Sequence, residues 1–362
     1  MGGRALSNPN ELSVYMNTTP SRATCEAKQW LHKGEVPILT RFIYPVQDPP
    51  ARWEGNSNAI DRFIDDLISS RLKLEPLDDP LSNGCKQDVL IAEVDRYGIP
   101  GRTVLNLSSG LIRSDPYLRE HDLEQFYSRN YRDIYIWKDY SIEKMRDDQL
   151  RHGEKILSFI GPYFDKPGKV LDVGCGLGAT LIPFKESGWT STGIDYGEDL
   201  LERGRMEGLD LRRGGIAELD KEFDCDLILL SHVLEHQRNP LGFLAQFANR
   251  WPDALIYIEV PGLFHLHQGY KWDILMYLQN AHAFYFTADS LIKLAASSGL
   301  KLIQCDESIR SLFRVGETKI PLDGRPGKRA IRYLKRVEFI RKFTALRKLV
   351  KKLGWLDKLL TS

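Results

Sequence analysis

The chain has 362 residues, of which 42% are apolar, so it is long enough to bury one full α/β core with a smaller module beside it. Its five cysteines show no paired spacing, which argues against a disulfide framework, and no stretch approaches the ~20 apolar residues of a membrane-spanning helix. The first residues lack the apolar core of a signal peptide, and Leu6 stands where a myristoylation signal prefers Ser or Thr. These features predict a cytoplasmic protein.

The chain divides into four predicted parts. Residues 1–75 carry no motif that indicates a function, and one helix is predicted there over 59–72. Residues 76–150 contain short apolar runs between turn-forming residues, which is typical of a small module with a connecting helix. A core at 151–320 and a linker with a basic helix at 321–362 complete the chain.

The core alternates between strand and helix patterns. Strands are predicted over 169–173, 190–194, 208–212, 225–231, 254–260, 300–305 and 309–315. This alternation predicts an α/β fold with a doubly wound, mostly parallel, seven-stranded Rossmann-like sheet that ends in an antiparallel strand. Ligands of such sheets bind beyond the carboxyl ends of the strands. The residues at these ends are Gly174, Asp195, Ser231 and Glu259.

The first core strand leads into the most informative motif, KVLDVGCGLG. Gly174, Gly176 and Gly178 allow a tight turn and a close approach of the backbone to a ligand. The next strand ends in Asp195, whose carboxylate can accept hydrogen bonds from both ribose hydroxyls of a nucleoside. The spacing alone leaves the cofactor open, because with Ala179 it also fits the dinucleotide fingerprint G-x-G-x-x-G/A.

Further segments distinguish these cofactor classes. Asp172 lies inside the first core strand, and later segments are DLILLSHVLEHQRNP from Asp226, IYIEVPG from Ile256 and HAFYFTADSLIKLAASSGLKLI from His282. In this order, with VLDVGCGLG and GIDYG, they resemble the class I S-adenosylmethionine-dependent methyltransferases over residues 151–315. The resemblance implies a methyltransferase with S-adenosylmethionine as its cofactor.

The same resemblance implies a set of cofactor-binding residues. The glycine loop would lie against the methionine part, Asp195 would bind the ribose, and Tyr196 and Ile216 would flank the adenine. Ser231 and His232 would close the site. The full implied set is Asp172, Gly174, Cys175, Gly176, Gly178, Asp195, Tyr196, Ile216, Ser231 and His232.

Residues 76–150 resemble the small zinc-ribbon module that precedes the core in many methyltransferases of glycan pathways. Such modules hold zinc with two C-x-x-C pairs. The residues at the four cysteine positions here are Asp79, Ser82, Asn106 and Ser109. Hydroxyl, amide and carboxylate groups are poor substitutes for four thiolates, so we expect the shape of a ribbon without zinc and no metal site.

The letters HVLEH from His232 to His236 also fit H-x-x-E-H, a zinc-protease signature in which two histidines share one helical face. Catalytic zinc also needs a third ligand and an open position. Here the motif directly follows a buried strand, and Asn239-Pro240 interrupts within a turn. A structural or cofactor-lining role is therefore favoured over zinc binding.

Methyl transfer requires in-line positioning, plus a base when the nucleophile is a hydroxyl or a carbon acid. His282 is the first candidate base, because similar sugar-modifying methyltransferases place a histidine before an aromatic residue here, and His265 and His267 are the next. A histidine pKa near 6.5 suits this role, although a structural hydrogen bond is the alternative for each. The aromatic residues that either wall an acceptor pocket or pack in the core are Tyr270, Trp272 and Tyr285.

The net charge of +1 conceals an asymmetry. Residues 325–362 hold 13 Lys and Arg against Glu338 and Asp357, a net charge of +11, and the remaining residues sum to −10. Apolar residues recur at every third or fourth position from Ile331 to Leu360, which predicts an amphipathic helix. This helix either lies on an anionic membrane surface or packs on the acidic body. Nucleic acid is not expected as a partner, because no stacking aromatics interleave with these charges.

These patterns together predict an enzyme that methylates oxygen or carbon of a small-molecule or glycan acceptor: a glycan, a sugar nucleotide or a lipid-linked glycan precursor. A quinone or lipid-precursor methyltransferase is the alternative within the enzyme class. A non-catalytic binding protein that retains the fold is the alternative outside it. The intact glycine loop and Asp195 favour an enzyme. If the C-terminal helix binds lipid, the expected location is peripheral, at the inner face of the membrane.

Overall fold

The computed structural model describes most of the chain. The described residues are 35–39, 43–44, 49–51, 54–85, 87–135, 141–266, 270, 272–306, 309–318 and 326–351. Much of the predicted N-terminal part, the predicted linker around 319–325 and the last eleven residues therefore lie outside the described set. Within the described part, none of the helices combines the length and the apolar character that crossing a bilayer requires.

The part of the chain before the core forms short helices and strands. Its elements are α1 (Glu54–Ile68), β1 (Leu74–Glu75), β2 (Asp88–Val94), β3 (Pro100–Asn106), β4 (Ile112–Ser114), β5 (Tyr117–Leu118), α2 (Glu120–Phe126), a π-helix (Tyr127–Tyr131) and α3 (Arg132–Tyr135). The helix predicted over 59–72 is present as α1, although it begins and ends earlier. β2, β3 and β4 pair antiparallel, and β1 pairs with β5.

The core follows with the predicted alternation. Its elements are α4 (Ile142–Ile160), β6 (Lys169–Val173), α5 (Ile182–Glu186), β7 (Thr190–Asp195), α6 (Glu198–Met206), β8 (Asp210–Arg213), β9 (Leu227–Ser231), α7 (Pro240–Arg250), β10 (Leu255–Glu259), α8 (Ile274–Tyr277), β11 (Phe284–Tyr285), α9 (Ala288–Ser297), β12 (Leu300–Cys305), β13 (Arg310–Val315) and α10 (Pro326–Lys351). All seven predicted core strands are present, each boundary within two residues of its predicted position. α4 runs across the boundary predicted at residue 150.

The seven core strands form one mixed sheet in the order β12-β13-β10-β9-β6-β7-β8. The five strands from β10 to β8 in this order pair in parallel, and β13 pairs antiparallel with both of its neighbours. The prediction of a seven-stranded α/β sheet is confirmed. Because the parallel strands point the same way, β6, β7, β9 and β10 end along one edge of the sheet, where the functional residues lie.

The sheet is buried on both faces, which explains the unbroken apolar run of β9. Leu227 and Leu229 pack into the cluster on one face, with Ile156 of α4. Ile228 and Leu230 pack into the cluster on the other face. Successive strand side chains point to opposite faces, so a strand covered on both sides needs an apolar residue at every position.

A smaller antiparallel sheet lies beside the core, in the order β11-β4-β3-β2. Its edge strand β11 comes from the second half of the chain and pairs with β4. The C-terminal helix α10 buries Ala330, Leu334 and Val337 in the same apolar cluster as Ile91 and Leu105 of this sheet. The predicted helix is therefore present, and this face of it packs against the body of the protein.

Of the four residues aligned with the ribbon cysteines, Asp79 and Ser82 lie at one turn. Asn106, the last residue of β3, and Ser109 lie at a second turn that contacts the first. The Ser109 hydroxyl donates to Asp79 Oδ2 at 2.5 Å, and the Asp79 carboxyl also accepts from the Leu81 N–H at 2.7 Å. The Ser82 hydroxyl donates to the Asp79 carbonyl, and Asn106 Oδ1 accepts from the Ser109 N–H. Hydrogen bonds thus join the two turns. The identity of this module as a zinc ribbon stays a prediction.

Candidate functional site

The loop after β6 turns through the left-handed region at Gly174, Gly176 and Gly178, with φ of 73°, 56° and 75°. A Cβ at Gly174 would lie 2.8 Å from Val233 Cγ2, and a Cβ at Gly178 would lie 2.7 Å from Leu211 Cδ2. Both the backbone angles and the space therefore require glycine. The loop presents backbone, not side chains, at the carboxyl end of β6.

Asp195, the last residue of β7, is bound to this loop. Its Oδ2 accepts a hydrogen bond from the Gly176 N–H at 2.9 Å, and its Oδ1 accepts from the Gly197 N–H at 2.7 Å. A carboxylate oxygen can accept more than one hydrogen bond, so each oxygen retains capacity for a ribose hydroxyl. Asp195 is thus oriented by backbone groups and remains able to bind a nucleoside.

Asp172 lies inside β6, below the glycine loop, and is 4% exposed. Burial raises the pKa of Asp172 to about 8, and the negative charge of Asp195 adds to the effect. A cationic group bound nearby would restore the ionised form of this carboxyl group. The amino group of a methionine moiety is a cation of this kind.

Cys175 takes part in the loop chiefly through its backbone, although its Sγ also donates weakly to the Gly176 carbonyl. Its N–H donates to the Ile194 carbonyl, and its side chain is buried against Gly193 of β7. Burial raises the pKa of the Cys175 thiol well above its ordinary value, so the sulfur stays protonated. A role in cofactor binding for this predicted residue would therefore have to involve its backbone.

Tyr196 and Ile216 lie side by side beyond the ends of β7 and β8. Tyr196 is 72% exposed, and a Cβ at Gly215 would come within 2.7 Å of its hydroxyl oxygen. Ile216 follows directly and begins the 3₁₀ helix Ile216–Glu218. An exposed ring beside a half-buried aliphatic side chain is suited to hold a flat aromatic base, although this assignment stays a prediction.

Ser231, at the end of β9, is part of a hydrogen-bonded group that the sequence did not reveal. His152 Nε2 lies 2.9 Å from Ser231 Oγ and 3.2 Å from Glu259 Oε2, and the Tyr257 hydroxyl donates to the same Glu259 oxygen at 2.6 Å. Burial raises the pKa of Glu259, but the hydrogen bonds and the charge of His152 outweigh it and hold the value at about 2.

His152 stands on α4, which also supports the glycine loop. Gln149, one turn earlier on α4, accepts from the Ala179 N–H at 3.1 Å and donates to the Cys175 carbonyl at 3.4 Å. Gly153 allows the close contact, because a Cβ there would lie 2.2 Å from the Thr180 carbonyl oxygen. In the sequence, only the three-residue spacing of Gln149 and His152, which places both on one face of a helix, indicates that they could act together at the site.

His232 directly follows β9 and has a φ of 56°, a left-handed conformation that is uncommon outside glycine. Its N–H donates to the Glu259 carbonyl at 2.9 Å, and its side chain is 53% exposed. His232 Nδ1 lies 3.4 Å from Glu235 Oε1. Burial lowers the pKa of His232, but this contact with Glu235 outweighs it and leaves the pKa raised.

The first candidate base, His282, lies against the H-x-x-E-H segment. Its ring centroid is 4.9 Å from that of His236, and ligand atoms of Glu235, His236 and His282 all lie within 4.8 Å of one another. Burial, together with the charges of His236 and Arg96, lowers the pKa of His282 well below its ordinary value. A neutral imidazole of such low basicity is a weak proton acceptor.

The positions of the other predicted residues do not show a role in catalysis. His265 ends the 3₁₀ helix Leu263–His265 after β10, and His267 lies outside the described residues. Tyr285 is buried and exchanges hydrogen bonds with the Gln279 backbone, which is the behaviour of a core residue. The catalytic role of these histidines stays a prediction.

A cluster of tyrosines lies next to His236. Tyr131, on the π-helix, has its ring centroid 6.2 Å from His236 and 5.0 Å from Tyr135. Burial raises the pKa of Tyr131 to about 12, and the negative charges of Glu235 and Asp195 contribute. Tyr131 therefore contacts His236 and is close enough to both Glu235 and Asp195 for their charges to affect its pKa.

The comparison with known protein families identifies the domain that contains this site. Residues 143–305 match a family model described as a methyltransferase domain, and the match begins within α4. The chain contains a class I S-adenosylmethionine-dependent methyltransferase domain. S-adenosylmethionine is the cofactor of this domain. The open glycine backbone, the oriented Asp195 and the buried Asp172 fit it.

Known relatives and solved structures show similarity over parts of the chain. A ubiquinone biosynthesis O-methyltransferase from Hahella chejuensis is 38% identical over 101 residues, which are 25% of this chain and 42% of that enzyme. The chain therefore spans less than half the length of this relative. Magnesium protoporphyrin IX methyltransferase from Synechocystis, with bound S-adenosylhomocysteine, is 15% identical and covers 55% of this chain and 98% of its own, with a TM-score of 0.39. The plantazolicin methyltransferase BpumL is 16% identical over 54% of this chain and 94% of its own, with a TM-score of 0.43.

Asp195→Asn is expected to weaken binding of S-adenosylmethionine by about 2 kcal/mol, because two charge-assisted hydrogen bonds to the ribose become neutral ones. Isothermal titration calorimetry measures this change. Asp199→Asn, at an 86% exposed position of α6, is the matched control and should bind normally. Unchanged affinity of the Asp195 variant would remove the ribose assignment.

Asp172→Asn is expected to raise the melting temperature more at pH 8.5 than at pH 5.5. The folded pKa of Asp172, about 8, lies above its ordinary value of 3.8, so its contribution to stability is full below about pH 3.8 and is lost as pH rises to about 8. Asparagine does not undergo this loss. Scanning calorimetry of the cofactor-free protein, with Asp210→Asn as a half-exposed control, tests the assignment; an equal gain at both pH values would contradict it.

Proposed function

We propose that the protein transfers the methyl group of S-adenosylmethionine to a hydroxyl oxygen of a glycan, a sugar nucleotide or a lipid-linked glycan precursor. The observation that carries the proposal is the His152–Glu259 pair at the carboxyl ends of the strands, beside Ser231. A hydroxyl acceptor needs a base, and this pair has the arrangement of one. The sulfonium methyl group that the cofactor supplies is already activated for in-line displacement.

His152 is the base in this proposal. If its Nε2–H donates to Glu259, the lone pair lies on Nδ1, and the carboxylate both orients the ring and stabilises the imidazolium that forms. The Tyr257 hydroxyl holds the carboxylate from the other side. His152 is only 26% exposed, so its position is well defined. His282, with its strongly lowered pKa, is the weaker candidate of the two.

The step balances with these groups alone. The acceptor oxygen forms a C–O bond to the methyl carbon as the C–S bond breaks, and the electron pair of that bond remains on the neutral thioether sulfur. The hydroxyl proton passes to His152 Nδ1 and then to solvent. Neither an oxidant nor a reductant is required.

The surroundings of the acceptor suit a polar molecule. The rings of Tyr131 and Tyr135 contact each other, and the guanidinium carbon of Arg96 lies 5.9 Å from the centre of the Tyr135 ring. Arg96 Nη2 also donates a hydrogen bond to Gln279. Aromatic rings can stack on the faces of a sugar, and a guanidinium suits an anionic group such as a phosphate. This combination favours a phosphate-linked sugar over a purely apolar acceptor.

Methylation of a quinone or lipid precursor is the second candidate. The similarity to the ubiquinone biosynthesis O-methyltransferase over 101 residues supports it, and such an acceptor also carries a hydroxyl group. The polar tyrosine and arginine surroundings favour the glycan acceptor. A binding protein without turnover remains the third candidate, which an assay for methyl transfer tests directly.

His152→Gln is expected to lower kcat about 100-fold and to leave the dissociation constant for S-adenosylmethionine unchanged, because it removes a base and not a cofactor contact. The assay uses radiolabelled cofactor with sugar nucleotides, lipid-linked sugars and a hydroxylated quinone precursor. His282→Gln, measured in parallel, tests the alternative base. A weakened cofactor affinity with normal kcat would instead place His152 in the cofactor site, and transfer only to the quinone would favour the second candidate.

We also propose that α10 holds the protein, otherwise cytoplasmic, on an anionic membrane surface. The face opposite Leu334 and Val337 carries exposed cations, and the rings of Phe339 and Phe343 are exposed there with centroids 4.8 Å apart. Arg332, Lys335 and Arg336 precede these rings at helical spacing and are exposed. Basic residues beside exposed aromatic rings suit the interface of an anionic bilayer. Phe343, one of the apolar residues that recur along this helix, is 47% exposed.

Phe339→Ser with Phe343→Ser is expected to abolish sedimentation with vesicles of phosphatidylglycerol, because the chain loses the apolar part of its anchor. Sedimentation of the unaltered protein should fall at 0.5 M salt and be absent with neutral phosphatidylcholine. Met206→Ser, at another exposed apolar position, is the control. Retained sedimentation of the double variant would remove Phe339 and Phe343 from the membrane proposal.

A further inference from the structure

Glu235 is a buried carboxylate whose partners are incomplete. It is 1% exposed, and neither of its oxygens has a hydrogen bond from the described residues. His232 Nδ1 approaches to 3.4 Å but lacks the geometry of a hydrogen bond. A buried carboxyl group without hydrogen-bond partners is costly, so its two oxygens point to a ligand that the described residues do not supply.

The hydrogen bond of His236 leaves one ring nitrogen available as a metal ligand. Its Nδ1 lies 2.8 Å from the Ala281 carbonyl oxygen, and only an N–H can make that bond. The lone pair of the ring is then on Nε2. A histidine held by a backbone carbonyl through one nitrogen, with the other nitrogen unprotonated, is the usual form of a metal ligand.

We propose that Glu235, His236 and His282 bind one divalent transition ion of the zinc and manganese class. Their ligand atoms already lie within 4.8 Å of one another, and a bound ion would draw them closer to the ~3.5 Å expected between ligands of one tetrahedral ion. Two imidazoles and a carboxylate favour such an ion over magnesium. Three protein ligands leave at least one coordination position open.

The assignment differs from the H-x-x-E-H signature, in which both ligands are the two histidines of one helix. Here the segment Leu234–His236 is a 3₁₀ turn, and the third ligand, His282, comes from a distant part of the chain. Sequence alone therefore could not place these three groups together. The expectation of no metal site rested on the replaced ribbon cysteines and on the sequence context of the H-x-x-E-H segment, neither of which concerns His282.

The open position would face the acceptor. Tyr131 contacts the His236 ring and is within electrostatic reach of both Glu235 and Asp195, so we place the proposed ion beside the space that the acceptor and cofactor share. An ion there would bind an acceptor oxygen and fix its orientation. This use of the ion rests on the proposed function, but ion binding itself does not.

One contact must change when the ion binds. The Gln279 amide nitrogen contacts both ring nitrogens of His282, and its Oε1 accepts from Arg96 at 2.8 Å. This amide competes with an ion for the His282 lone pair. Removal of the amide should therefore favour the ion, a result that a merely structural cluster would not give.

The test is calorimetric titration of the full chain, freed of metal by a chelator, with Zn²⁺, Mn²⁺ and Mg²⁺ in separate runs. We expect one Zn²⁺ or Mn²⁺ per chain and much weaker Mg²⁺ binding. Glu235→Gln and His282→Asn should each weaken binding about 10- to 100-fold, and Gln279→Ala should strengthen it. His121→Gln, an exposed histidine elsewhere, is the control and should change nothing.

Circular dichroism and S-adenosylmethionine binding show whether each variant is folded. If Glu235→Gln does not fold, the absorption spectrum of the Co²⁺-loaded unaltered protein and of Gln279→Ala tests the nitrogen ligands instead. Absence of stoichiometric binding to the unaltered protein would overturn the proposal, as would equal affinity in folded Glu235 and His282 variants. Ion binding without methyl transfer would leave the metal site intact and reject the proposed function alone.

Discussion

The hydrogen bonds that Asp195 accepts from the backbone at Gly176 and Gly197 are the contacts on which the rest of the site depends. They join the loop after β6 to the loop after β7, so neither loop can move without the other. Both of these donors are backbone groups. The Gly176 N–H can reach Asp195 only from a left-handed backbone, which ties the glycine requirement to the ribose site.

The sheet and this loop could be predicted from the sequence because both are local patterns. Residues 227–230 of β9 form an apolar run because each of them faces one of two cores, and this run can be recognised in the sequence alone. The glycine loop and Asp195 are separated by a nearly fixed length of helix and strand, so their spacing identifies them. α10 was predicted for a similar reason, since Leu334 and Val337 follow the helical repeat.

The acidic and imidazole groups around the acceptor could not be predicted in the same way. His152 precedes the first core strand by more than a turn of helix and meets Ser231 and Glu259 only after the sheet has formed. His282 reaches His236 because β11 leaves the core and joins the smaller sheet. Such contacts depend on tertiary packing, and no spacing in one sequence encodes them.

The carboxyl groups of the site also give the cleft a charge that matches its cofactor. Asp172 and Glu235 are almost fully buried, whereas Glu259 is held ionised at a pKa of about 2 chiefly by His152. S-adenosylmethionine carries a sulfonium and an ammonium charge, and S-adenosylhomocysteine has lost the first of them. Attraction between charges is strong where water is excluded, so a negative cleft holds the methyl donor more tightly than its product. Transfer of the methyl group removes the sulfonium share of this attraction, so the product is held less tightly than the methyl donor.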